Sequence, residues 1–195
     1  MKHLIVLLLV IFASFSYGRE LKAIEPGAKA PDFKLKNYDG KPYALASILK
    51  DHKYTVVMFI ATRCPVSNAY STRMVKLYDT YTVKGIAFIG VNSNKSEDVK
   101  EILEHSKKNG YQFVVLKDDG NKIADAYGAS VTPETFVLDA KGIVVYHGRI
   151  DDSKNPDKVK NHDLDEALTT LLAGKTLASG SHPAMGCSIK RIGED

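Results

Sequence analysis

The sequence predicts an α/β domain, in which a central, mostly parallel sheet carries an antiparallel hairpin at one edge and helices on both faces. Residues 54–61 and 86–91 form continuous apolar runs, which are typical of strands buried on both faces. An amphipathic helical pattern follows each run, and such alternation predicts right-handed crossovers between parallel strands. Residues 135–138 and 143–146 flank a turn sequence, which predicts the hairpin.

The helices are placed by their apolar spacing and by the residues at their ends. The first is predicted to begin at Pro65, because a proline lacks the N–H group that would have no partner there. It continues to Gly85 on one apolar stripe, formed by Val66, Tyr70, Met74, Leu77 and Tyr81. The second is predicted to begin with Ser96 as its N-cap. The remaining predicted elements are a turn at Asp39-Gly40, a short strand at 113–116, a short helix at 121–127 and an amphipathic helix at 164–172.

Three segments are predicted along the chain: a signal peptide at 1–18, the α/β domain at 19–174 and a C-terminal tail at 175–195. Lys2 precedes an apolar run over residues 4–15, and Ser16-Tyr17-Gly18 follows with small residues at the first and third places, as in a secretory signal peptide. The run is shorter than the ~20 residues of a membrane-spanning helix. We expect an exported protein, periplasmic or secreted, with no membrane association after cleavage; an uncleaved anchor is the alternative.

The composition points away from several function classes. The 195 residues are 44% hydrophobic and carry a formal charge of +4, with basic and acidic residues mixed along the chain. This is the pattern of a solvated surface on one globular domain, and we expect no nucleic-acid partner. No glycine motif that cradles phosphates is present, so no organic cofactor is expected.

Cys64 carries the strongest chemical signal in the sequence. It lies where the first buried strand gives way to a helix, and reactive groups of open α/β sheets collect at such strand ends. Free N–H groups at a helix N-terminus favour the thiolate form, and Arg63 beside it would add a positive charge. We therefore predict that Cys64 is a reactive nucleophile, the alternative being an inert, buried cysteine.

Thr132-Pro133 is the second signal. The pair precedes the predicted strand at 135–138, and a proline at a strand entrance often marks a cis bond in a tight turn. By itself the signal is weak, since most bonds before proline are trans. Together with Cys64, it predicts one wall of an active site.

The two motifs resemble those of a known superfamily. Residues 59–67, Phe-Ile-Ala-Thr-Arg-Cys-Pro-Val-Ser, resemble the active-site segment of thioredoxin-like proteins, and residues 131–139 resemble their cis-proline strand. Residues 27–33 are similar to the entry segment of the alkyl hydroperoxide reductase / thiol-specific antioxidant (AhpC/TSA) group. The chain most resembles a peroxiredoxin-like (redoxin) branch with one active-site cysteine and a Gly-Cys-Ser-Ile-Lys tail, here residues 186–190. The resemblance implies a thioredoxin-like fold and thiol redox chemistry.

The sequence also departs from both patterns. Ser67 stands where thioredoxins carry the second cysteine of their pair, so Cys64 cannot form the usual short-range disulfide, and ordinary dithiol reductase activity is not expected. Ala61 and Val57 stand where peroxiredoxins carry a threonine or serine and a proline. The resemblance places Thr132, Pro133, Arg63 and Ser67 around Cys64 as the active-site wall.

Cys187 is the only other cysteine. From Gly174 the tail could extend roughly 40 Å at about 3.3 Å per residue, so Cys187 can reach Cys64. A resolving cysteine would attack the oxidised form of Cys64. A structural disulfide that pins the tail and a free thiol are the other two interpretations.

A copper site is a further alternative, because His182, Met185 and Cys187 are soft ligands of the kind that bind Cu(I). Other polar residues receive their ordinary interpretation. His105, His147 and His162 are expected at the surface, and Arg149 is expected to pair with Asp151 or Asp152.

The sequence as a whole predicts a thiol-dependent oxidoreductase of antioxidant type, acting by thiol–disulfide exchange, peroxide reduction or both. Its expected partners are a disulfide-bearing protein or a peroxide as substrate, and an external thiol as reductant. The alternative is an exported thioredoxin-fold binding protein, either copper-binding or non-catalytic.

Overall fold

A computed structural model describes residues 22–37 and 40–193. The expected signal peptide and Asp39, half of the expected turn, lie outside these residues. The strands are β1 (Lys34–Lys36), β2 (Pro42–Ala44), β3 (Tyr54–Phe59), β4 (Ile86–Asn92), β5 (Val114–Lys117), β6 (Val131–Thr132), β7 (Glu134–Asp139), β8 (Val144–Gly148), β9 (Ser181–His182) and β10 (Cys187–Ser188). The α-helices are α1 (Leu45–Asp51), α2 (Pro65–Ala69), α3 (Ser71–Thr82), α4 (Val99–Lys108), α5 (Lys122–Tyr127) and α6 (Asp163–Leu172).

The central sheet has six strands in the order β5-β4-β3-β7-β8-β9. Strands β3, β4 and β5 are parallel, with Tyr54 opposite Ile86, whereas β7 is antiparallel to both β3 and β8. The predicted α/β class and the β7–β8 hairpin are confirmed. The hairpin is not at the sheet edge, however, because the tail supplies β9, which pairs with β8 in parallel.

Two apolar clusters fill the space on either side of the sheet, because successive side chains of a strand point to opposite faces. Val56 and Met58 of β3 face α3, α4 and α6. Val57 and Phe59 face α1 and α5 on the other side. The buried run that predicted β3 therefore supplies both halves of the core.

Two helix boundaries differ from the sequence-based prediction. The helix expected from Pro65 to Gly85 is interrupted at Tyr70, whose N–H donates to the Ser67 carbonyl three residues back and so tightens the turn. The N-cap of α4 is Asp98 and not Ser96, since the Asp98 carboxylate accepts the N–H of Glu101 at 2.8 Å. The first difference lies at the end of the short helix that begins after Cys64, and the second lies at the start of α4.

The tail showed no periodicity in the sequence, yet it packs along the domain. Strand β9 joins the central sheet, and β10 pairs antiparallel with β6. After β10, the side chain of Ile189 holds the tail against the domain, because it is buried in the same apolar cluster as Phe59. Across residues 22–37 and 40–193, every helix is too short or too polar to span a bilayer.

Candidate active site

Cys64 is the N-cap of α2, at the carboxyl end of β3 where the sequence predicted it. Pro65 occupies the first helical position, and the Ser67 N–H points back at Cys64 Sγ from 3.3 Å. Because α2 has only five residues, this single N–H group matters more than a long helix dipole. The residue as a whole is 4% exposed, so Cys64 is buried.

The strand that faces Cys64 is β6. The peptide bond between Thr132 and Pro133 is cis, as predicted. Cys64 Sγ lies 3.2 Å from the Thr132 carbonyl oxygen, which accepts a hydrogen bond from the neutral thiol. The Thr132 carbonyl and the Ser67 N–H therefore contact the same sulfur from two elements.

Cys187 lies on β10, directly opposite Thr132 in the β10–β6 pair. Both cysteines are free thiols. Cys64 Sγ lies against the Thr132 carbonyl and Cys187 pairs with the same residue, so the two thiols are neighbours, and each shifts the pKa of the other. The structure thus brings together the two sulfurs that the sequence could only show to be within reach.

The two thiols are shifted in opposite directions. Burial raises the pKa of Cys64, but hydrogen bonds from the Cys187 thiol, the Thr132 side chain and the Ser67 N–H outweigh it and hold that pKa below its ordinary value. The hydrogen bond to Cys64 raises the pKa of Cys187, and burial adds to the effect. The pair therefore favours one thiolate, at Cys64, beside one neutral thiol.

Ser67 and Arg63 were both expected in the active-site wall, but Ser67 is buried beside Cys64 whereas the Arg63 side chain is largely exposed. Ser67 is buried, and its Oγ accepts the N–H of Ala61 at 3.3 Å, which fastens the start of α2 to the end of β3. The Arg63 side chain is 62% exposed, and its Nε donates to Glu101 Oε1 at 2.9 Å. Its guanidinium is thus engaged by a carboxylate on α4.

Glu97 holds the loop before Cys64, a role that the sequence did not reveal. This carboxylate is 2% exposed and accepts the N–H of Thr62 at 2.7 Å and of Arg63 at 3.1 Å. Asn92 and Asn94 donate to the same carboxylate from the end of β4. Although burial raises the pKa of Glu97, these donors outweigh it and lower that pKa overall. The sequence feature that could have indicated this role is the polar run Asn92-Ser93-Asn94, which follows the buried run at 86–91.

Glu134 plays a matching role for β6. Its buried carboxylate accepts the N–H of Ser130 at 2.8 Å and of Val131 at 3.1 Å, and it lies 2.8 Å from His147 Nε2. The expectation that His147 lies at the surface is wrong: the residue is buried, and its ring stacks on Phe136 with centroids 4.5 Å apart. The pairing of β7 with β8 brings Glu134 and His147 together, which no local pattern indicates.

Arg149 also differs from expectation. Its Nε donates to Asp163 at 2.8 Å on α6, so the expected pairing with Asp151 or Asp152 is wrong. Asp151 instead binds Arg73 at 2.5 Å. The cause is the start of α6, which places Asp163 beside the end of β8.

The residues of the alternative copper site have separate contacts. His182 Nδ1 lies 3.1 Å from Asp163 Oδ1, and its ring stacks on Tyr146. Met185 is 64% exposed, whereas Cys187 is paired with Thr132 of β6. Among the residues that the structure describes, no three His, Cys, Asp or Glu side chains are grouped as metal ligands.

Comparisons with known proteins place the chain in a family and give two kinds of relative. Residues 26–147 match the model of the AhpC/TSA family. The chloroplastic peroxiredoxin Q of Sedum lineare is 27% identical over 144 residues, which cover 69% of this chain and 75% of the relative. The thiol-disulfide oxidoreductase ResA of Halalkalibacterium halodurans is 28% identical over 135 residues, which cover 69% and 73%.

A solved structure is similar over nearly the whole length described. It is a hypothetical protein from Sinorhizobium meliloti 1021, with a TM-score of 0.81 and 33% sequence identity, covering 89% of this chain and 98% of the other. Among the curated relatives, the chain spans from 58% to 81% of their length.

Proposed function

The chain belongs to the AhpC/TSA family of thiol-dependent oxidoreductases, and from that membership we propose that Cys64 is its nucleophile and that Cys187 is its resolving cysteine. The observation that carries the proposal is the placement of two free thiols beside Thr132, with pKa values shifted in opposite directions. A lowered pKa supplies the attacking thiolate, and a neighbouring neutral thiol is then in place for the second step.

With a hydroperoxide, the Cys64 thiolate attacks the nearer oxygen of the O–O bond. A new S–O bond forms, the O–O bond breaks, and the departing oxygen takes a proton to leave as an alcohol or water. Cys64 is thereby oxidised to a sulfenic acid, and the peroxide is reduced. The Ser67 N–H, which donates to Cys64 Sγ from 3.3 Å, holds the thiolate in position for this attack.

The second step closes a disulfide between Cys64 and Cys187. Cys187 loses its proton and attacks the sulfenic sulfur, whose hydroxyl group leaves as water. Two molecules of an external thiol then reduce the disulfide by successive exchange, which regenerates both thiols and releases an oxidised thiol pair. The cycle requires no organic cofactor.

Exchange with a disulfide substrate is the second candidate, supported by the similarity to the ResA proteins. The Cys64 thiolate would attack one sulfur of the substrate, forming a mixed disulfide and releasing the other sulfur as a thiolate. Cys187 would then attack the Cys64 sulfur, release the substrate as a thiolate and form a disulfide with Cys64. In thioredoxins the second cysteine of the pair performs this step, and Ser67 stands at that position here.

Export rests on the sequence alone. The charged residue, apolar run and small residues of positions 1–18 support cleavage after Gly18, and a periplasmic or secreted location would let a disulfide persist. The intact mass of protein recovered outside the cytoplasm tests this proposal. A mature chain that begins at Arg19 is expected, whereas a cytoplasmic protein that retains Met1 would contradict it.

Turnover by three proteins tests the assignment of the two cysteines. Hydroperoxide and insulin-disulfide reduction are measured for wild type, Cys64→Ser and Cys187→Ser with the same thiol reductant. Cys64→Ser should fall to the uncatalysed rate, because the nucleophile is gone. Cys187→Ser should lose roughly tenfold at low reductant and recover at high reductant, since an external thiol replaces an intramolecular one of high effective concentration. Equal activity in all three would contradict the proposal.

A further inference from the structure

The edge of β6 beside Cys64 is already paired. A strand edge with open N–H and C=O groups is a template for an extended peptide. Here β10 lies along that edge, with Cys187 opposite Thr132 and Ser188 opposite Val131. The Ile189 N–H extends the pairing, since it donates to the Ser130 carbonyl at 2.9 Å. We name residues 186–189 the tail strand.

The tail strand passes too close to β6 for a side chain at its first residue. A Cβ atom added to Gly186 would lie 2.1 Å from the Thr132 carbonyl oxygen. This oxygen is the one that Cys64 Sγ contacts. Gly186 therefore allows the tail backbone to lie against the residue whose carbonyl contacts the nucleophile.

Side chains and backbone groups beyond Cys187 hold the tail strand in place. Ile189 is 1% exposed and lies in the core cluster on the α1 and α5 side of the sheet. The Lys190 N–H donates to Asn94 Oδ1 at 2.8 Å, and the Ile192 N–H donates to Asn121 Oδ1 at 2.9 Å. The edge of β6 thus becomes free only when several contacts break together.

We propose that the tail strand is a specificity determinant, which excludes extended polypeptide disulfides from Cys64 and leaves small oxidants such as hydroperoxides as the substrates. The inference rests on the proposed function in taking Cys64 as the nucleophile. A hydroperoxide must reach one sulfur atom, whereas an extended peptide must also pair with the edge that the tail strand occupies. The two candidate substrate classes therefore differ in what they require of the tail.

The test compares two reagents that carry the same reactive group. Methyl methanethiosulfonate is the small probe, and an extended eight-residue peptide bearing a methanethiosulfonate group is the large one. In both, the thiolate attacks the sulfenyl sulfur, the S–S bond breaks, methanesulfinate leaves, and a mixed disulfide remains on Cys64. The reactions are followed by intact mass in the Cys187→Ser background, where Cys64 is the only thiol and the backbone of the tail strand is unchanged.

Two variants release the tail strand from different sides. Gly186→Val forces it away from Thr132, and Ile189→Ala removes its anchor in the core. Ile102→Ala is the matched control, because Ile102 is 2% exposed and lies in the other core cluster. The control separates release of the tail from a general loss of stability.

With the tail strand in place, we expect the peptide to react at least about tenfold more slowly than the small probe, since only a minor open state admits it. Each release variant should raise the peptide rate about tenfold and change the rate of the small probe much less. The control should keep the wild-type ratio.

An unchanged ratio of the two rates in both release variants would overturn the inference, as would a control that shifts the ratio equally. These outcomes are independent of turnover. A protein that reduces neither peroxide nor disulfide would contradict the proposed function, while the ratio of the two rates would still report on the tail strand.

Discussion

The two cysteines lie beside the same residue, Thr132, yet their surroundings are built in different ways. Cys64 is placed by its neighbours in the chain: β3 ends before it, Pro65 begins α2, and Ser67 donates to its sulfur. Cys187 is placed by strand pairing with β6, far away in the sequence. The comparison shows why two thiols in one site can titrate differently, because the hydrogen-bond donors converge on Cys64.

A buried carboxylate supports each side of this pair. Glu97 binds the N–H groups of Thr62 and Arg63, just before Cys64. Glu134 binds those of Ser130 and Val131, in the strand opposite Cys187. Each carboxylate thus fixes a backbone segment next to the site: residues 62–63 precede Cys64, and residues 130–131 precede Thr132, whose carbonyl contacts Cys64 Sγ.

The largest expected effect is that of Glu97→Gln. An amide cannot accept all four donors that converge on this carboxylate, so the free energy of unfolding should fall by about 1–3 kcal/mol at pH 7. Urea unfolding measures the loss. Glu104→Gln, on the exposed face of α4, is the matched control and should change stability little.

The pH dependence of this effect has a definite sign. The folded-state pKa of Glu97 is lowered, so the charged carboxylate stabilises the fold above its unfolded pKa of about 4.3 and loses that contribution as pH falls through the folded value. The stability difference between wild type and Glu97→Gln should therefore be full at pH 7 and shrink in acid. An equal difference at pH 7 and pH 3 would show that the charge is not involved.

A smaller effect is expected from Cys187→Ala on the titration of Cys64. The rate of alkylation by iodoacetamide should have its midpoint below the ordinary thiol value of about 8.5 in wild type. Loss of the hydrogen bond from Cys187 should move the midpoint to higher pH, because the Cys64 thiolate loses a donor. The alkylation rate at pH 7 should then fall, by up to about tenfold for each pH unit that the midpoint moves.

Cys64→Ala supplies the reverse measurement. The pKa of Cys187 is raised chiefly by Cys64, so its own midpoint should move down toward that of an ordinary thiol. Midpoints that stay the same in both single variants would contradict the asymmetry between the two cysteines.

The smallest effect is expected from Arg63→Ala. The Arg63 guanidinium binds Glu101 and is largely exposed, so its charge is screened before it acts on the sulfur. The alkylation rate of Cys64 should change less than about twofold. A rise in the midpoint as large as that of Cys187→Ala would show that Arg63 stabilises the thiolate after all.

The parts of the fold that the sequence predicts are those set by local chemistry. The strand–cysteine–helix junction and the hairpin at 139–142 each follow from a few adjacent residues. The cis bond before Pro133 was a weak local signal that gained weight from Cys64. The Asp98 cap was missed because Ser96 nearby is an equally good N-cap residue. The interruption at Tyr70 was missed because the apolar stripe continues through it.

The remaining parts depend on contacts between distant residues. Periodicity could not reveal β9 and β10, since two-residue strands leave no pattern and exist only through their partners β8 and β6. Glu97 and Glu134 resembled ordinary acidic residues until the fold placed backbone N–H groups around them. For the same reason, the sequence could show that Cys187 reaches Cys64 but not that the two meet.

Peptide mapping after stoichiometric oxidation tests the central claim most directly. The reduced protein is treated with one equivalent of hydrogen peroxide, alkylated and digested without reductant. We expect one intramolecular disulfide that joins the peptides of Cys64 and Cys187. Loss of the Cys64 thiol to sulfenic or sulfinic acid while Cys187 is recovered alkylated, or a disulfide between two chains, would contradict the account.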